Sequence, residues 1–270
     1  MNQKTIKKSI NFSGVGIHTG KNTKVILHPL SEDSGIIFKR TKKVKLDISN
    51  ITDVKRAISI GNGKNIIRTI EHLIAAIFIS GITNILIEVD NEEIPIFDGS
   101  AKHFLKLIEK AGIKEQKKPV SLIKISDPIF VINNDKFIGV IPSQHFGITY
   151  HINFPHPDLN NKVINFDKID YKIFKREIAP ARTFGFYKEV QDLLNRGFAR
   201  GGSLYNTVVL TETGYLNKRC RFKDECLRHK VLDLIGCIGI LGVPIIGHFI
   251  AYRSGHSLDF KLIKKIASLQ

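Results

Sequence analysis

The sequence predicts an α+β protein made of two duplicated α/β layer modules, and three observations carry that expectation. The order helix, strand, loop, helix occurs once in each half of the chain, a short polar stretch ending in proline separates the halves, and the composition is that of a globular protein. At 270 residues, with 43% hydrophobic and 24% charged residues, the chain can bury a core without a disulfide or metal staple.

The first module opens with strand-like segments at Thr23 to His28 and Gly35 to Phe38. Thr69 to Ser80 follows, where alanines and leucine favour helix and Thr69 is a suitable cap. After Gly81, the β-branched run Asn84 to Val89 reads as a strand, and beyond the Asp98-Gly99 turn Ala101 to Ala111 has helical periodicity. Glu115 to Pro119 is the polar stretch, so the expected domains are residues 1–117 and 118–270, the second opening with a strand at Val120 to Ile125. The plan then repeats: a helix from about Asp224 to Leu241, a turn at Gly242 to Pro244, a strand Ile245 to Tyr252, a Ser254-Gly255 loop and a last helix to Ser268. Superposing the modules sets Glu71-His72 opposite Arg228-His229, each at a helix start and each followed by an apolar turn. Two such starts facing each other across a domain interface are a favourable place for a site, although duplication alone also accounts for the pairing.

Charge and cysteine usage narrow the classes. Forty-one Lys and Arg against 25 Asp and Glu leave a net charge of +16, which favours anionic partners such as nucleic acid, an acidic membrane surface or a phosphorylated substrate. The lysines are scattered rather than blocked, and biased codon usage in a chain rich in Ile and Asn explains them equally well. The longest apolar stretch, Leu234 to Gly247, is too short for a membrane span and is interrupted by glycines and Pro244. No signal peptide is legible in Met1 to Gly14, and three cysteines at spacings unlike a zinc ribbon read as free thiols, so the expected compartment is the cytoplasm.

His229 and Asp233, four apart on a helix, lie on one face roughly 5 to 6 Å apart and can chelate one ion. Such a pair is more often a surface contact, but Asp233 falls in the apolar run Val231 to Ile240, where a lone carboxylate is costly unless paired. Glu71-His72 has the same character before Leu73 to Ile79, and Glu71 taken alone is equally an acid at the positive end of a helix dipole. There is no H-E-x-x-H, so any zinc site has to be assembled from distant segments. In Arg182-Thr183-Phe184-Gly185-Phe186 a hydroxyl and a cation stand among aromatics, either as a substrate wall or as core packing. His256 lies in a loop between strand and helix, where it is either solvated or aimed at a cleft, and the remaining histidines, His18 among them, have no partner at ligand spacing.

Six collinear motifs make the chain resemble the UDP-3-O-acyl-N-acetylglucosamine deacetylase family of lipid A biosynthesis. They are Gly14 to Gly20, Thr69 to Leu73, Ile94 to Ala101, Ala181 to Gly185, His229 to Asp233, and Ser254 to His256, covering almost the full length. The resemblance implies a β-α-α-β sandwich of the two domains with the active site at their interface. It implies Zn2+ held by His72, His229 and Asp233, Glu71 as the base, Thr183 as oxyanion donor and His256 as the protonated group that serves the leaving amine. It implies a UDP-linked acylated amino sugar as substrate, with Phe154 on uracil and Lys136, Lys230 and Arg253 near the diphosphate and sugar. The acyl passage would lie near residues 183–205, lined by Phe186, Tyr187, Val190 and Leu194 with Gly202 to Leu204, and Phe184 would be a further substrate contact. A monomer without nucleic-acid partner or transmembrane segment is expected, with contact to acyl chains.

Two positions depart from the family pattern. Cys237 stands where the family places an aspartate that charges the catalytic histidine, which predicts a lower pKa for His256; Asn153 stands where an aspartate is common. Rival readings are an RNA-binding protein, which leaves His229 and Asp233 unexplained, and a zinc hydrolase of another amide or an inactive homologue.

Overall fold

Alternation of buried and exposed side chains builds two mixed sheets, seen in a computed structural model that describes residues 1–269. The strand Ile245–Tyr252 alternates buried and half-buried along its whole length, the period-two pattern of a strand with one face on the core. It is the centre of a six-stranded sheet, antiparallel to Lys136–Ile141 on one side and parallel to Phe146–Ile152 on the other. Ile129–Asn133 and Lys162–Phe166 close its edges, and the short strand Ile123–Lys124 also pairs with the centre. The five-stranded sheet of the first half follows the same plan around Ile85–Val89, antiparallel to Asn22–Pro29 and parallel to Ile36–Lys39, with Ile10–Val15 and Lys43–Lys45 outside.

Among the described residues six α-helices accompany these sheets: α1 (Glu71–Ile79), α2 (Lys102–Ala111), α3 (Tyr171–Ile173), α4 (Tyr187–Asn195), α5 (Glu225–Ile238) and α6 (His256–Ala267). In α1 every residue from Glu71 to Ile77 is buried, as expected of a helix covered on all sides. Its main partner is α5, and the pair is flanked by α2 against α1 and α6 against α5. The close crossing depends on Gly236, where a Cβ would stand 2.4 Å from the Glu71 carbonyl oxygen; any side chain there would push α5 off α1. One contiguous core runs through both halves of the chain.

Several local expectations are revised. Thr69 does not cap α1: Ile70 holds the cap position, and Thr69, at φ 58°, donates its hydroxyl to Glu93 at 2.9 Å. The cause is the fully buried Glu93 carboxylate, which also takes the backbone N–H groups of His18 and Thr19 and the Thr19 hydroxyl. Glu115 to Pro119 is not a connecting loop but most of a strand, Ile113–Pro119, which spans the expected boundary and pairs antiparallel with Asn2–Ile6. Its polar residues line an exposed ribbon, a setting in which alternation with apolar residues is not required. The strand expected at Val120 to Ile125 shrinks to Ile123–Lys124, and His256 is the first residue of α6 rather than part of a loop.

A buried ion pair ties the second half together. Arg182 Nε and Nη2 donate to Glu225 Oε1 and Oε2 at 2.8 and 3.2 Å, with both residues almost fully buried. Glu225 also accepts the backbone N–H groups of Arg182 and Arg221, so the first turn of α5 is fastened to the strand Thr183–Phe186. Glu225→Leu would strand the guanidinium and is expected to lower the unfolding free energy by about 3–5 kcal/mol, read from denaturant midpoints.

Candidate active site

The crossing of α1 and α5 brings together side chains far apart in sequence. His229 and Asp233 share one face of α5, with Nε2 to Oδ1 at 3.2 Å, and His72 at the start of α1 places Nε2 3.7 Å from the same oxygen. The two imidazoles meet edge to face with centroids 4.9 Å apart, and one ligand atom from each of the three residues lies within 4.8 Å of the others. All three are buried.

The arrangement fits a tetrahedral metal ion. Zinc bonds of about 2.0–2.1 Å to nitrogen and oxygen set neighbouring ligand atoms roughly 3.3 Å apart, close to the two distances observed. His229 donates Nδ1–H to the Ala181 carbonyl at 3.0 Å, the outer contact that metal-binding histidines commonly make, so a cation that displaces the Nε2 proton would find Nε2 as its ligand atom. His72 Nδ1 has no such partner. Burial pushes the Asp233 carboxyl upward, but the charges of His229 and Lys230 and hydrogen bonds from the two imidazoles outweigh it and hold the group well below the usual carboxylate range. Asp233 is therefore an anion at neutral pH, as a ligand must be. The Lys230 ammonium lies 3.0 Å from its other oxygen.

Glu71 adjoins His72, and its Oε2 accepts the Ile58 N–H at 3.0 Å, which fixes the side chain. Burial raises its pKa to about 7, opposed by His72 and helped by Asp233, so the carboxylate is poised to exchange a proton near neutrality. Thr183 begins its strand with N–H donated to Gly99 O at 2.8 Å. Gly99 also lets the Asn206 backbone come close: at φ 81° its missing Cβ would lie 1.7 Å from the Asn206 carbonyl oxygen. His256 Nε2 stands 3.9 Å from Asp233 Oδ2. Burial lowers its pKa to about 4, with Lys230 and the two other imidazoles adding to the effect and Asp233 opposing it. The direction is the one expected from Cys237, but desolvation is the largest cause.

These groups line one cavity of about 850 Å³ that also includes Lys230, Phe154, Phe184 and Leu204. Phe186 stands behind Phe154, with ring centroids 5.7 Å apart, and is not itself on the wall. Away from the three-ligand cluster the wall turns apolar along α4, through Val190, Leu193 and Leu194, and continues to Leu216. Lys136 and Arg253 do not line the cavity; Lys136 is exposed at a strand start, and Arg253 pairs with Asp135.

Sequence reasoning set aside His18 and passed over Lys55 and Arg56, which are on the cavity wall, and it overlooked Asp259. The signal for Asp259 was available: a single carboxylate three residues after His256, in a helix otherwise apolar on that face. Asp259 is fully buried, and burial raises its pKa to about 6, moderated by Ser254 and Lys230. The folded state thus binds more protons than the unfolded chain between the unfolded pKa of 3.8 and the folded value of about 6. Stability falls as pH rises through that window and stays reduced above it. In metal-free protein, Asp259→Asn should therefore gain stability over the parent between about pH 4 and 6, reaching a plateau of about 3 kcal/mol. Denaturant midpoints of both proteins across pH would show an unchanging difference if this reading were wrong.

Residues 3–268 match the family model described as UDP-3-O-acyl N-acetylglycosamine deacetylase. Among curated proteins, a UDP-3-O-acyl-N-acetylglucosamine deacetylase of Leptospira biflexa is 42% identical, the alignment covering 99% of this chain and 90% of the relative. Enzymes of the same name from Thermodesulfovibrio yellowstonii and Nautilia profundicola are each 44% identical, covering 98% and 99% of this chain and 91% and 92% of theirs.

Proposed function

The chain belongs to the UDP-3-O-acyl N-acetylglycosamine deacetylase family, and from that membership we propose that the cavity between α1 and α5 binds zinc through His72, His229 and Asp233 and deacetylates a UDP-linked sugar there. The reaction is hydrolysis of the N-acetyl group of UDP-3-O-acyl-N-acetylglucosamine, with release of acetate, in lipid A biosynthesis. The observation that carries the site assignment is the convergence of three ligand atoms beside Glu71 on the cavity wall.

When bound, zinc supplies a Lewis acid that acidifies water and polarises an amide carbonyl. Glu71 takes the proton of the attacking water, a role suited to a carboxylate whose pKa burial has brought toward neutrality. The Thr183 hydroxyl donates to the oxygen on which negative charge develops; His256, expected as a protonated group but held neutral near pH 7 by burial, must first take up a proton before it passes one to the departing amine. Thr183→Val is expected to lower kcat roughly 10²- to 10³-fold with KM little changed, measured by acetate release under saturating substrate.

Phe154 offers a face for the uracil, and Lys230 offers a cation to the sugar or diphosphate, with Lys136 and Arg253 reaching the diphosphate from outside the cavity wall. The apolar wall formed by α4, Phe184 and Leu204 takes the acyl chain, with Phe186 packed behind Phe154. The equal strand plans of the two sheets support reading residues 1–117 and 118–270 as duplicated domains in a β-α-α-β sandwich. A monomer in the cytoplasm is the proposed setting. Free cysteines agree with that compartment, and among the described residues no helix is long and apolar enough to cross a membrane. The direct test is acetate release from the UDP-sugar: turnover that stops with a chelator and returns with zinc supports the reading, and turnover indifferent to the chelator refutes it.

A further inference from the structure

Glu93 is fully buried and does not line the cavity, yet its carboxylate gathers two segments that do. Each oxygen takes two donors. Oε1 accepts the His18 N–H and the Thr69 hydroxyl, both at 2.9 Å, and Oε2 accepts the Thr19 N–H at 2.8 Å and the Thr19 hydroxyl at 2.7 Å. The loop is shaped to this group: a Cβ on Gly16 would stand 2.3 Å from Oε2, so glycine is what lets the loop close over the carboxylate.

Thr69 is the partner nearest the chemistry. It is a β-branched residue at φ 58°, a conformation such side chains avoid, two residues before Glu71 and three before His72. Strained backbone of this kind persists only where its surroundings impose it. Here they are the bond from its hydroxyl to Glu93 and the pairing of Arg68 on the preceding side, whose N–H donates to the Glu92 carbonyl at 2.9 Å and whose carbonyl accepts the Ile94 N–H at 3.1 Å. Just beyond, Ile70 N–H donates to the Ile58 carbonyl at 3.2 Å, and Ile58 N–H returns to Glu71. The turn at Thr69 therefore sets the direction in which α1 departs. The other donors of Glu93 hold a different part of the wall: Ile17 and His18 line the cavity, and their carbonyls accept the Gly201 and Arg200 N–H groups at 3.0 and 3.3 Å, from the loop after α4.

Resting on the deacetylase reading above, we infer that Glu93 is a positioning residue of the site: through Thr69 it fixes the first turn of α1, so that His72 meets the two ligands of α5 and Glu71 stands beside them. Glu93 touches neither substrate nor metal and acts through backbone geometry. A merely structural carboxylate would do no more than stabilise the fold. Its loss would lower the melting temperature and leave the site of the folded molecules as it was.

The test uses the full chain and a readout that needs no turnover. Glu93→Gln keeps the shape, but whichever way the amide is turned its NH2 faces a backbone N–H, of His18 or of Thr19. Zinc affinity, measured by chelator competition well below each variant's melting temperature, is expected to weaken roughly 10- to 100-fold. In the zinc-saturated chain kcat should fall with it and KM change less, because Glu71 shifts together with His72. Thr69→Val removes the hydroxyl and keeps the branched shape, so it cuts the link without opening the loop. Its zinc binding should weaken roughly 3- to 10-fold, and the double variant should stay within about twofold of Glu93→Gln because both changes break one connection. Parental zinc affinity in folded Glu93→Gln overturns the inference, and so do losses that multiply in the double variant. If Glu93→Gln does not fold, Thr69→Val decides alone, and parental zinc affinity there overturns the inference. A wild type whose zinc affinity depends on Glu93 in this way but which releases no acetate refutes the deacetylase reading and leaves the positioning role standing.

Discussion

Replacing His229 with alanine is expected to abolish stoichiometric zinc binding and to reduce deacetylation by about 10³-fold or more. His229 is the ligand whose geometry is most constrained, with Nδ1 donated to Ala181 and Nε2 aimed at the point it shares with Asp233. Two remaining ligands leave a weak chelate, and losing a Lewis acid that supplies several kcal/mol of transition-state stabilisation accounts for the fall in rate. The fold should survive, because His229 leaves the Arg182–Glu225 pair and the Gly236 crossing untouched. Metal content, acetate release and a circular dichroism melt on one preparation separate these effects. A variant that keeps one zinc per chain would show that the ligand set has been misassigned.

Glu71→Gln is expected to keep the metal and lose roughly 10²- to 10⁴-fold in kcat, because the side chain retains its shape but no longer accepts a proton. The pH profile adds a sign. A base must be deprotonated to act, so activity should rise with pH through a limb at or below about 7, the value that burial imposes on Glu71, and that limb should be missing from the residual activity of Glu71→Gln. A bound cation favours the carboxylate form and moves the limb toward lower pH. Residual activity with an unshifted limb would assign the titration to another group.

Much of this site was readable before any coordinates, and the reasons are specific. The strand Ile245–Tyr252 and helices α1, α2, α5 and α6 follow from periodicity and glycine or proline punctuation, and the i, i+4 spacing of His229 and Asp233 is a local fact of the helix. Elements whose cause lies elsewhere in the chain were not readable. Thr69 looks like a cap until Glu93, buried across the fold, claims its hydroxyl. Ile113–Pro119 looks like a linker because its partner is the first strand of the chain, and nothing in Lys114 to Lys118 announces that pairing. The meeting of His72 with His229 depends on the α1–α5 crossing through Gly236, which from sequence alone reads as an interruption of an apolar run. Resemblance to a family supplied what periodicity could not there, and it also placed Lys136 and Arg253 near the substrate, whereas neither lines the cavity.

The central claim is that one zinc ion sits between His72, His229 and Asp233. Anomalous diffraction from crystals of the purified protein, collected on either side of the zinc absorption edge, tests it most directly. One anomalous peak within bonding distance of both Nε2 atoms and Asp233 Oδ1, present only above the edge, is the predicted result. A peak elsewhere, or none in protein that carries zinc in solution, would contradict it.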